Sequence, residues 1–279
     1  MSKKISFQGV EGAYSNLAVQ EFFPGAESVP CKTFEIAIQK AESGSVDYAM
    51  IPIENSAAGR VADIHRLLPK SQLHINYEHF QKVEHKLLIH PDSQLSAIKK
   101  VISHEQALAQ CSEKIQNHDF DILIGADTAG SAKMISENKI LDTAAIASSL
   151  AANIYNLKTV DESFANTKNN ITRFYVMSKN ENEEFDPKKK YISSFLFAVN
   201  NTPGSLFKVM GGFATNNVNM IKLESYNYGA DFVITEFYCE IEGHPNQDNT
   251  KFALDDMYHY CSKVKKLGVF EKSIYRSRQ

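Results

Sequence analysis

Short apolar runs alternate with segments of helical periodicity from Ile5 to Met177, and this alternation restricts that part of the chain to an α/β architecture. Ile5-Ser6-Phe7 predicts a strand that ends in a glycine loop, Gly9-Val10-Glu11-Gly12. From Ala13 to Phe23 the apolar residues recur at helical spacing, and Gly25 just beyond Pro24 is a stop signal. Thr33 is placed to cap a helix whose apolar stripe is Phe34, Ala37, Ile38 and Ala41, ending at Ser43-Gly44. Val46 to Ile53 reads as a buried strand closed by Pro52. A second series follows: a strand at Lys86 to His90, a break at Pro91-Asp92, and a helix to about Ile115 opened by Ser103 and Gln106 at capping-box spacing. Ile122 to Gly125 predicts a strand, Ala126-Asp127-Thr128 a helix start, Ala144 to Asn153 a helix rich in small residues, and Ile171 to Met177 a last strand.

The pattern changes at Lys179 to Lys190, where an acidic polar run is followed by Pro187 and three lysines. This reads as a linker, or else as a long polar surface loop. Beyond it come a strand (Tyr191 to Val199), a helix (Pro203 to Thr215), strands at Asn219 to Tyr226 and Phe232 to Glu242, a helix (Thr250 to Lys263) and a strand (Val264 to Phe270). That order, βαββαβ, is the ferredoxin-like pattern. Pro203 suits the first turn of its helix, where a missing N–H costs nothing. The 279 residues fit about two domains.

A net charge of −3 carries no basic footprint for nucleic acid or a membrane surface. The four cysteines, Cys31, Cys111, Cys239 and Cys261, form neither a CxxC pair nor a metal-like cluster and read as free thiols in a reducing compartment. Gln8, Gly9, Glu11 and Gly12 interrupt any secretory apolar stretch after Lys3-Lys4, and no run approaches the ~18–20 apolar residues of a membrane span. A cytoplasmic location is the expectation.

Three segments of the first part are chemically suggestive. Gly9 to Ser15, with Gly12-Ala13-Tyr14-Ser15, joins strand to helix and points backbone N–H groups at an anion, although glycine loops make such joints everywhere. Pro52-Ile53-Glu54-Asn55-Ser56, with Gly59, lies at the carboxyl end of a strand, where open α/β sheets bind ligands. Asn55 offers two donors and an acceptor and Ser56 a hydroxyl, and either is equally suited to cap a helix. In Asn170-Ile171-Thr172-Arg173-Phe174, Thr172 and Arg173 adjoin on a strand and so face opposite ways. Arg173 suits a bidentate grip on a carboxylate or an ordinary ion pair, and Phe174 reads as core. His85 and His104 have the chemistry of general acids, but their strand and helix-start contexts favour structural roles.

Together with Ser103-His104-Glu105-Gln106-Ala107-Leu108, Gln110-Cys111 and Ala145-Ile146-Ala147-Ser148, these segments resemble the prephenate dehydratase family in order and spacing over nearly the whole chain. The tail resembles an ACT domain, with Gly204-Ser205-Leu206 in its ligand loop and Asn219-Met220-Ile221 and Leu223-Glu224-Ser225 in its second motif. The resemblance implies a two-lobed catalytic domain of the type 2 periplasmic-binding-protein fold over 1–180. Lobe one would be 1–76 plus 165–180 and lobe two 77–164, with chain crossings near Asn76 and Phe164. A regulatory domain would occupy 191–272.

The implied reaction is decarboxylation of prephenate with loss of the ring hydroxyl, needing neither cofactor nor metal. Thr172 is implied as the catalytic donor. Tyr14, Ser15, Asn55, Ser56, Gly59, Gln106, Thr128, Arg173 and Phe174 are implied in substrate binding, with Arg173 on the pyruvyl carboxylate. Gly204, Ser205, Leu206, Asn219, Met220, Leu223, Glu224 and Ser225 are implied in binding the effector L-phenylalanine between paired modules of a homodimer or homotetramer. Many relatives have Arg-Pro after Glu-Ser in the second motif. Tyr226-Asn227 stand there instead, which bears on the strength of regulation. Arogenate dehydratase uses the same chemistry on an amino analogue and is an alternative, as is a non-catalytic amino-acid sensor, against which the intact Thr172-Arg173-Phe174 argues.

Overall fold

The computed structural model describes residues 2–228 and 234–277, the side chains of 226–228, 234, 235 and 277 excepted. The chain divides into two compact units, Met1–Leu67 with His79–Tyr175, and Leu68–Glu78 with Val176–Gln279.

In the first unit the expected alternation produces two sheets. The first has the order β2-β1-β3-β11-β5, from β1 (Lys4–Gln8), β2 (Glu27–Cys31), β3 (Tyr48–Asn55), β5 (His74–Lys82) and β11 (Ile171–Ser178). The two-residue strand β4 (Gly59–Arg60) pairs with β3. Helices α1 (Tyr14–Phe22) and α2 (Phe34–Glu42) link its early strands, and α3 (Ala62–Leu67) follows. Thr33 caps α2 as expected, its hydroxyl accepting from the Ile36 N–H. Strand β2 contains Pro30 and escapes the sequence pattern, but it lies at the sheet edge, where a missing N–H breaks no ladder.

The second sheet has the order β10-β6-β9-β7-β8, from β6 (Lys86–Ile89), β7 (Lys100–Ser103), β8 (Asp121–Ile124), β9 (Thr143–Ala147) and β10 (Lys158–Asp161). Helices α4 (Glu105–Gln110), α5 (Ser112–Asn117), α6 (Thr128–Glu137) and α7 (Ser149–Ile154) complete this lobe. Period-2 alternation divides its apolar residues between two cores. Leu87, Val101, Ala144 and Ile146 enter one, and Leu88, Ile102, Ala145 and Ala147 the other. This corrects the reading of Ala144 to Asn153 as one helix. The first four residues form a strand buried on both faces, and the helix begins only after Ser148, whose hydroxyl accepts from the Ala151 N–H. A continuous apolar run does not by itself distinguish the two.

Two further local expectations change. The capping box at Ser103 and Gln106 does not form: Ser103 donates to the Ile146 carbonyl, and His104 caps α4 by accepting from the Gln106 N–H at Nδ1. The helix expected to run to Ile115 is broken at Cys111 into α4 and α5. The chain passes from the first sheet to the second between Lys82 and Lys86 and returns between Asp161 and Ile171. Asn76, the expected position of the first crossing, lies inside β5.

In the second unit, β12 (Tyr191–Val199), α8 (Ser205–Thr215), β13 (Met220–Tyr228), β14 (Ile234–Glu242), α9 (Asp248–Tyr260) and β15 (Cys261–Glu271) build an antiparallel sheet of order β13-β14-β12-β15. This is the ferredoxin-like arrangement expected. Phe195, Phe197, Val209, Phe213, Ile241 and Met257 form its core. Gly212 lets α8 approach α9, since a Cβ there would stand 2.6 Å from that of Asp256. Phe232 lies outside the described residues, as do the side chains of Tyr226 and Asn227. The unit also takes in residues 68–78 and 176–190. Lys265 donates to the carbonyls of Leu68, Pro69 and Ser71, and Arg276 grips Glu78 with Nε and Nη2. The division between the compact units falls at Tyr175/Val176, inside β11, whereas 180 is the limit expected for the first domain.

Among the described residues no helix is long and apolar enough to cross a membrane, and no cluster of three or more His, Cys, Asp or Glu is placed to hold a metal ion. All four cysteines are free.

Within the first unit, the Gly12 loop of one lobe seats on α7 of the other. Gly12 has φ +86°, and a Cβ there would lie 2.8 Å from the Ala151 Cα. Ser148 donates to the Gly12 carbonyl at 2.6 Å and Tyr155 to the Glu11 carbonyl at 2.7 Å. Gly12→Ala combines an unfavourable φ with a backbone clash. It is expected to lower stability by about 2 kcal/mol or more, read from the urea midpoint.

Candidate active site

The two lobes of the first unit enclose a cleft of about 490 Å³. The end of β1 and the start of α1 bring Gly9, Tyr14 and Ser15 to it, and β3 brings Pro52 and Asn55. The second lobe contributes His104, Gln106 and Gln110 around α4 and Asp127 and Thr128 at the start of α6. His85, Asn170 and Thr172 come from the crossing segments and the strand that follows.

One hydrogen-bonded chain joins these groups, and its direction is set by backbone. Asn55 Oδ1 accepts from the Ala57 and Ala58 N–H groups at 2.9 and 2.8 Å. Its Nδ2 must therefore face outward, where it donates to Asn170 Oδ1 at 2.7 Å and to Thr172 Oγ1 at 2.9 Å. Asn170 then presents Nδ2, which donates to Gln110 Oε1 at 2.7 Å. The same Gln110 oxygen lies 2.8 Å from His85 Nε2, so that nitrogen carries a hydrogen. His85 Nδ1 lies 3.0 Å from the Tyr14 hydroxyl, which is 2.8 Å from the Glu84 carbonyl.

Thr172 is thus an acceptor from Asn55, and its own hydroxyl hydrogen is left to point at a ligand. Ser56 supports this geometry from outside the cleft, donating to the Asn169 carbonyl and accepting from the Ile171 N–H. The helix cap considered for Asn55 or Ser56 becomes a tight turn between β3 and β4.

Of the residues singled out from sequence, Tyr14, Ser15, Asn55, Gln106, Thr128 and Thr172 line the cleft, whereas Ser56, Gly59, Arg173 and Phe174 do not. Gly59, at φ +79°, forms the turn into β4. Phe174 is buried core. Arg173 points away from Thr172, as strand alternation requires. It is 2% exposed, pairs with Glu54 at 3.0 Å, and stacks on the rings of Tyr175 and Phe80. Its guanidinium holds a carboxylate of the protein, where the sequence reading gave it one of the substrate.

His85, Gln110 and Asn170 were not among the expected site residues. All three stand in segments or contexts that the sequence singles out, but each meets its partner from far along the chain, which spacing does not reveal. His104 and His85, read as structural, do carry structural hydrogen bonds and also line the cleft.

Among the described residues lining the cleft none is Lys or Arg, and the carboxylates are Asp63 and Asp127. Asp127 accepts from the Gly130 N–H as the cap of α6, and Asp63 pairs with Arg66. Burial holds the Tyr14 phenol well above its ordinary range, with Cys111 and Glu84 adding to the effect. Burial also pushes the Cys111 thiol up to about 12, which leaves it unreactive. Burial lowers the His85 imidazole, opposed in part by its bond to Gln110.

In the second unit the two regulatory segments meet separate hollows. Gly204, Ser205 and Leu206 line one of about 560 Å³, and Asn219 and Met220 line another of about 380 Å³. Leu223 packs against the core and Glu224 pairs with Lys222 at 3.3 Å. Ser225 stands opposite Phe237 in the sheet and lines neither hollow.

The lowered His85 gives a pH dependence of defined sign. Between its ordinary value near 6.5 and its folded value, the unfolded chain binds a proton that the folded chain resists, so stability falls as pH drops below about 6.5. His79 and His244 are lowered by burial too. The His85 share is expected as a smaller Tm loss between pH 7.5 and 5.5 in His85→Gln than in wild type.

The profile of the prephenate dehydratase family matches residues 5–182. A bifunctional N-acyl-homoserine lactone acylase/prephenate dehydratase of Komagataeibacter europaeus is 40% identical over 274 residues, 98% of each chain. The chloroplastic arogenate dehydratase/prephenate dehydratase 1 of Arabidopsis thaliana is 35% identical, over 98% of this chain and 73% of that protein. The structure of prephenate dehydratase in complex with L-Phe from Arthrobacter aurescens superposes with a TM-score of 0.87 at 26% identity, covering 96% of this chain and 90% of that one.

Proposed function

We propose a specific reaction for this chain from one premise: it belongs to the prephenate dehydratase family. Family members are lyases that act by decarboxylating dehydration. The reaction proposed here is conversion of prephenate to phenylpyruvate, carbon dioxide and water. The ring carboxylate leaves as carbon dioxide, and its electron pair completes the aromatic ring. The opposite ring carbon loses its hydroxyl, which takes up a proton to become water. Aromatisation drives these steps, so the protein's task is to orient the substrate and assist the departing oxygen.

The observation that carries this reading is the direction of the Asn55–Thr172 hydrogen bond. Asn55 donates, so the Thr172 hydroxyl keeps its hydrogen for an oxygen in the cleft. A threonine hydroxyl is a weak acid, so its role is an oriented donor to the leaving oxygen. The cleft lining supports the other half of the chemistry, having no Lys or Arg to clamp the departing carboxylate. A salt bridge there would stabilise the ground state and raise the barrier. Ser15, Gln106 and Thr128 provide neutral polar groups around the substrate, while Asn55 and Tyr14, their hydrogens committed to Asn170, Thr172 and the Glu84 carbonyl, orient their neighbours and shape the wall. Arg173 acts behind the wall, holding Glu54 beside Asn55 in β3.

L-phenylalanine is proposed as the effector at the C-terminal domain, on the strength of the Gly204-Ser205-Leu206 and Asn219-Met220 segments and of the relative whose structure contains L-Phe. Those segments meet separate hollows in one chain, and pairing with a second copy, in a homodimer or homotetramer, is proposed to complete the site.

Purified protein is expected to form phenylpyruvate from prephenate, and L-phenylalanine to suppress it. Formation from arogenate alone would move the substrate assignment. Formation from neither, with release of homoserine lactone from its N-acyl form, would move it to the second activity named for the 40% identical relative. Thr172→Ala is expected to reduce kcat at least ~100-fold with an unchanged urea midpoint, in the range for loss of one transition-state donor. Near-normal turnover would remove Thr172 from the chemistry.

A further inference from the structure

We infer that His85 takes up a proton from solvent when an anionic substrate enters the cleft, and that its imidazolium supplies the positive charge the cleft wall lacks. The inference rests on the dehydratase reading for the identity of that anion and on hydrogen-bond counting for the proton.

Three contacts meet at His85 and Tyr14, and each needs a hydrogen. The Glu84 carbonyl has none, so its 2.8 Å contact uses the single hydrogen of the Tyr14 hydroxyl. The 3.0 Å contact from Tyr14 to Nδ1 then needs a hydrogen on Nδ1. The 2.8 Å contact to Gln110 needs one on Nε2, because the backbone N–H groups of Ala57 and Ala58 have already set the direction of Asn55, Asn170 and Gln110. All three are satisfied at once only by the imidazolium. In the neutral ring two lone pairs face one another across a short contact, either at Nδ1 or at the Glu84 carbonyl.

What opposes the proton is burial, since His85 is 3% exposed. The charged and titratable neighbours leave no large surplus of either sign. Tyr14 comes from α1. Glu84 pairs with Lys82, and Lys86 with Glu162, on the crossing segments. Beyond Gln110 stand Cys111 and the Lys114–Asp161 pair. On the far side Lys168 joins Lys82, Glu84 and His85 around a hollow of about 240 Å³. From the cleft come His104, whose Nδ1 lone pair is used in capping α4, and Asp127 and Asp63.

Among the described residues lining the cleft none is Lys or Arg, so neither carboxylate of a dicarboxylate substrate meets an opposing cation there, and the charge assigned to His85 is that of the carboxylate retained in the product, not of the one that departs. An anion in that space favours protonated His85, and reciprocity requires the proton to favour the anion by the same factor. His85 therefore acts as a positioning residue for binding. Both of its N–H groups already have acceptors, Nδ1–H in Tyr14 and Nε2–H in Gln110, so it is not the donor to the leaving oxygen.

The test is calorimetric titration with phenylpyruvate near pH 7.5 in two buffers of different ionisation enthalpy, beside the pH dependence of KM for prephenate. Wild type is expected to take up about 0.3–1 proton per site, and KM to rise by up to ~tenfold per pH unit across the alkaline limb with kcat little changed. His85→Gln is expected to bind without proton uptake and to lose that slope. Tyr14→Phe removes the acceptor for Nδ1–H, so it is expected to keep the slope but move it to lower pH, which a merely structural loss would not do. Absence of proton uptake by wild type overturns the inference whatever the variants do, as does an unaltered slope in folded His85→Gln. Failure of wild type to consume prephenate at any pH sinks the dehydratase reading instead, and the proton count with phenylpyruvate then judges this one separately.

Discussion

The orientation of one side-chain amide governs the cleft. Asn55 sits where β3 turns into β4, and its oxygen is claimed by two backbone N–H groups of that turn. A rotated amide would place its NH2 against two donors and lose both of these hydrogen bonds, each contributing about 0.5–1.5 kcal/mol. Direction then passes from one group to the next: Asn170 and Gln110 have a single compatible orientation, His85 must donate at Nε2, and Thr172 must accept. Preorganisation of this sort works through atoms far from the chemistry, because each amide has donors on one side and acceptors on the other.

The fold makes such a chain possible by bringing remote segments to one place. Gln110 ends α4 in the second lobe, whereas Asn55 and Thr172 belong to adjacent strands of the first sheet. Asn170 stands just before β11, on the return crossing, and so bridges the lobes. The Gly12 loop on α7 ties the lobes on another side. A relative movement of the lobes would bear directly on the hydrogen-bonded chain, since it crosses from one to the other. Closure of such a cleft excludes water and strengthens every polar interaction within it.

Charge is handled differently in the two units. In the first, Arg173 is kept behind the cleft wall on Glu54, between two aromatic rings, and the lining is left without a basic side chain. In the second, ions are used for packing. Arg276 reaches the carboxylates of Glu78 and Glu240, both nearly fully buried, and Tyr238 donates to Glu240 at 2.6 Å. Such groups are tolerated only when their hydrogen-bonding capacity is met, and removal of one partner costs far more than the pair contributes.

Alternation of apolar runs, the βαββαβ order of the tail and the opposite facing of Thr172 and Arg173 were legible in the sequence because they depend on periodicities of 2 and 3.6, which are local properties of the backbone. The strand Tyr191–Val199 appears with the limits its pattern predicted. Motif resemblance located Asn55 and Thr172, although spacing alone left them as polar residues beside strands. What tertiary structure decided was everything that depends on which segments meet. Ala144 to Ala147 became a strand because it is covered on both faces, and Ser103 turned from its expected cap toward the Ile146 carbonyl. Arg173 met Glu54 across the first sheet, and His85, Gln110 and Asn170 joined the cleft from distant parts of the chain. A hydrogen-bond donor in a sequence specifies the kind of partner it needs. Only the packed chain supplies that partner and, with it, the direction in which the proton points.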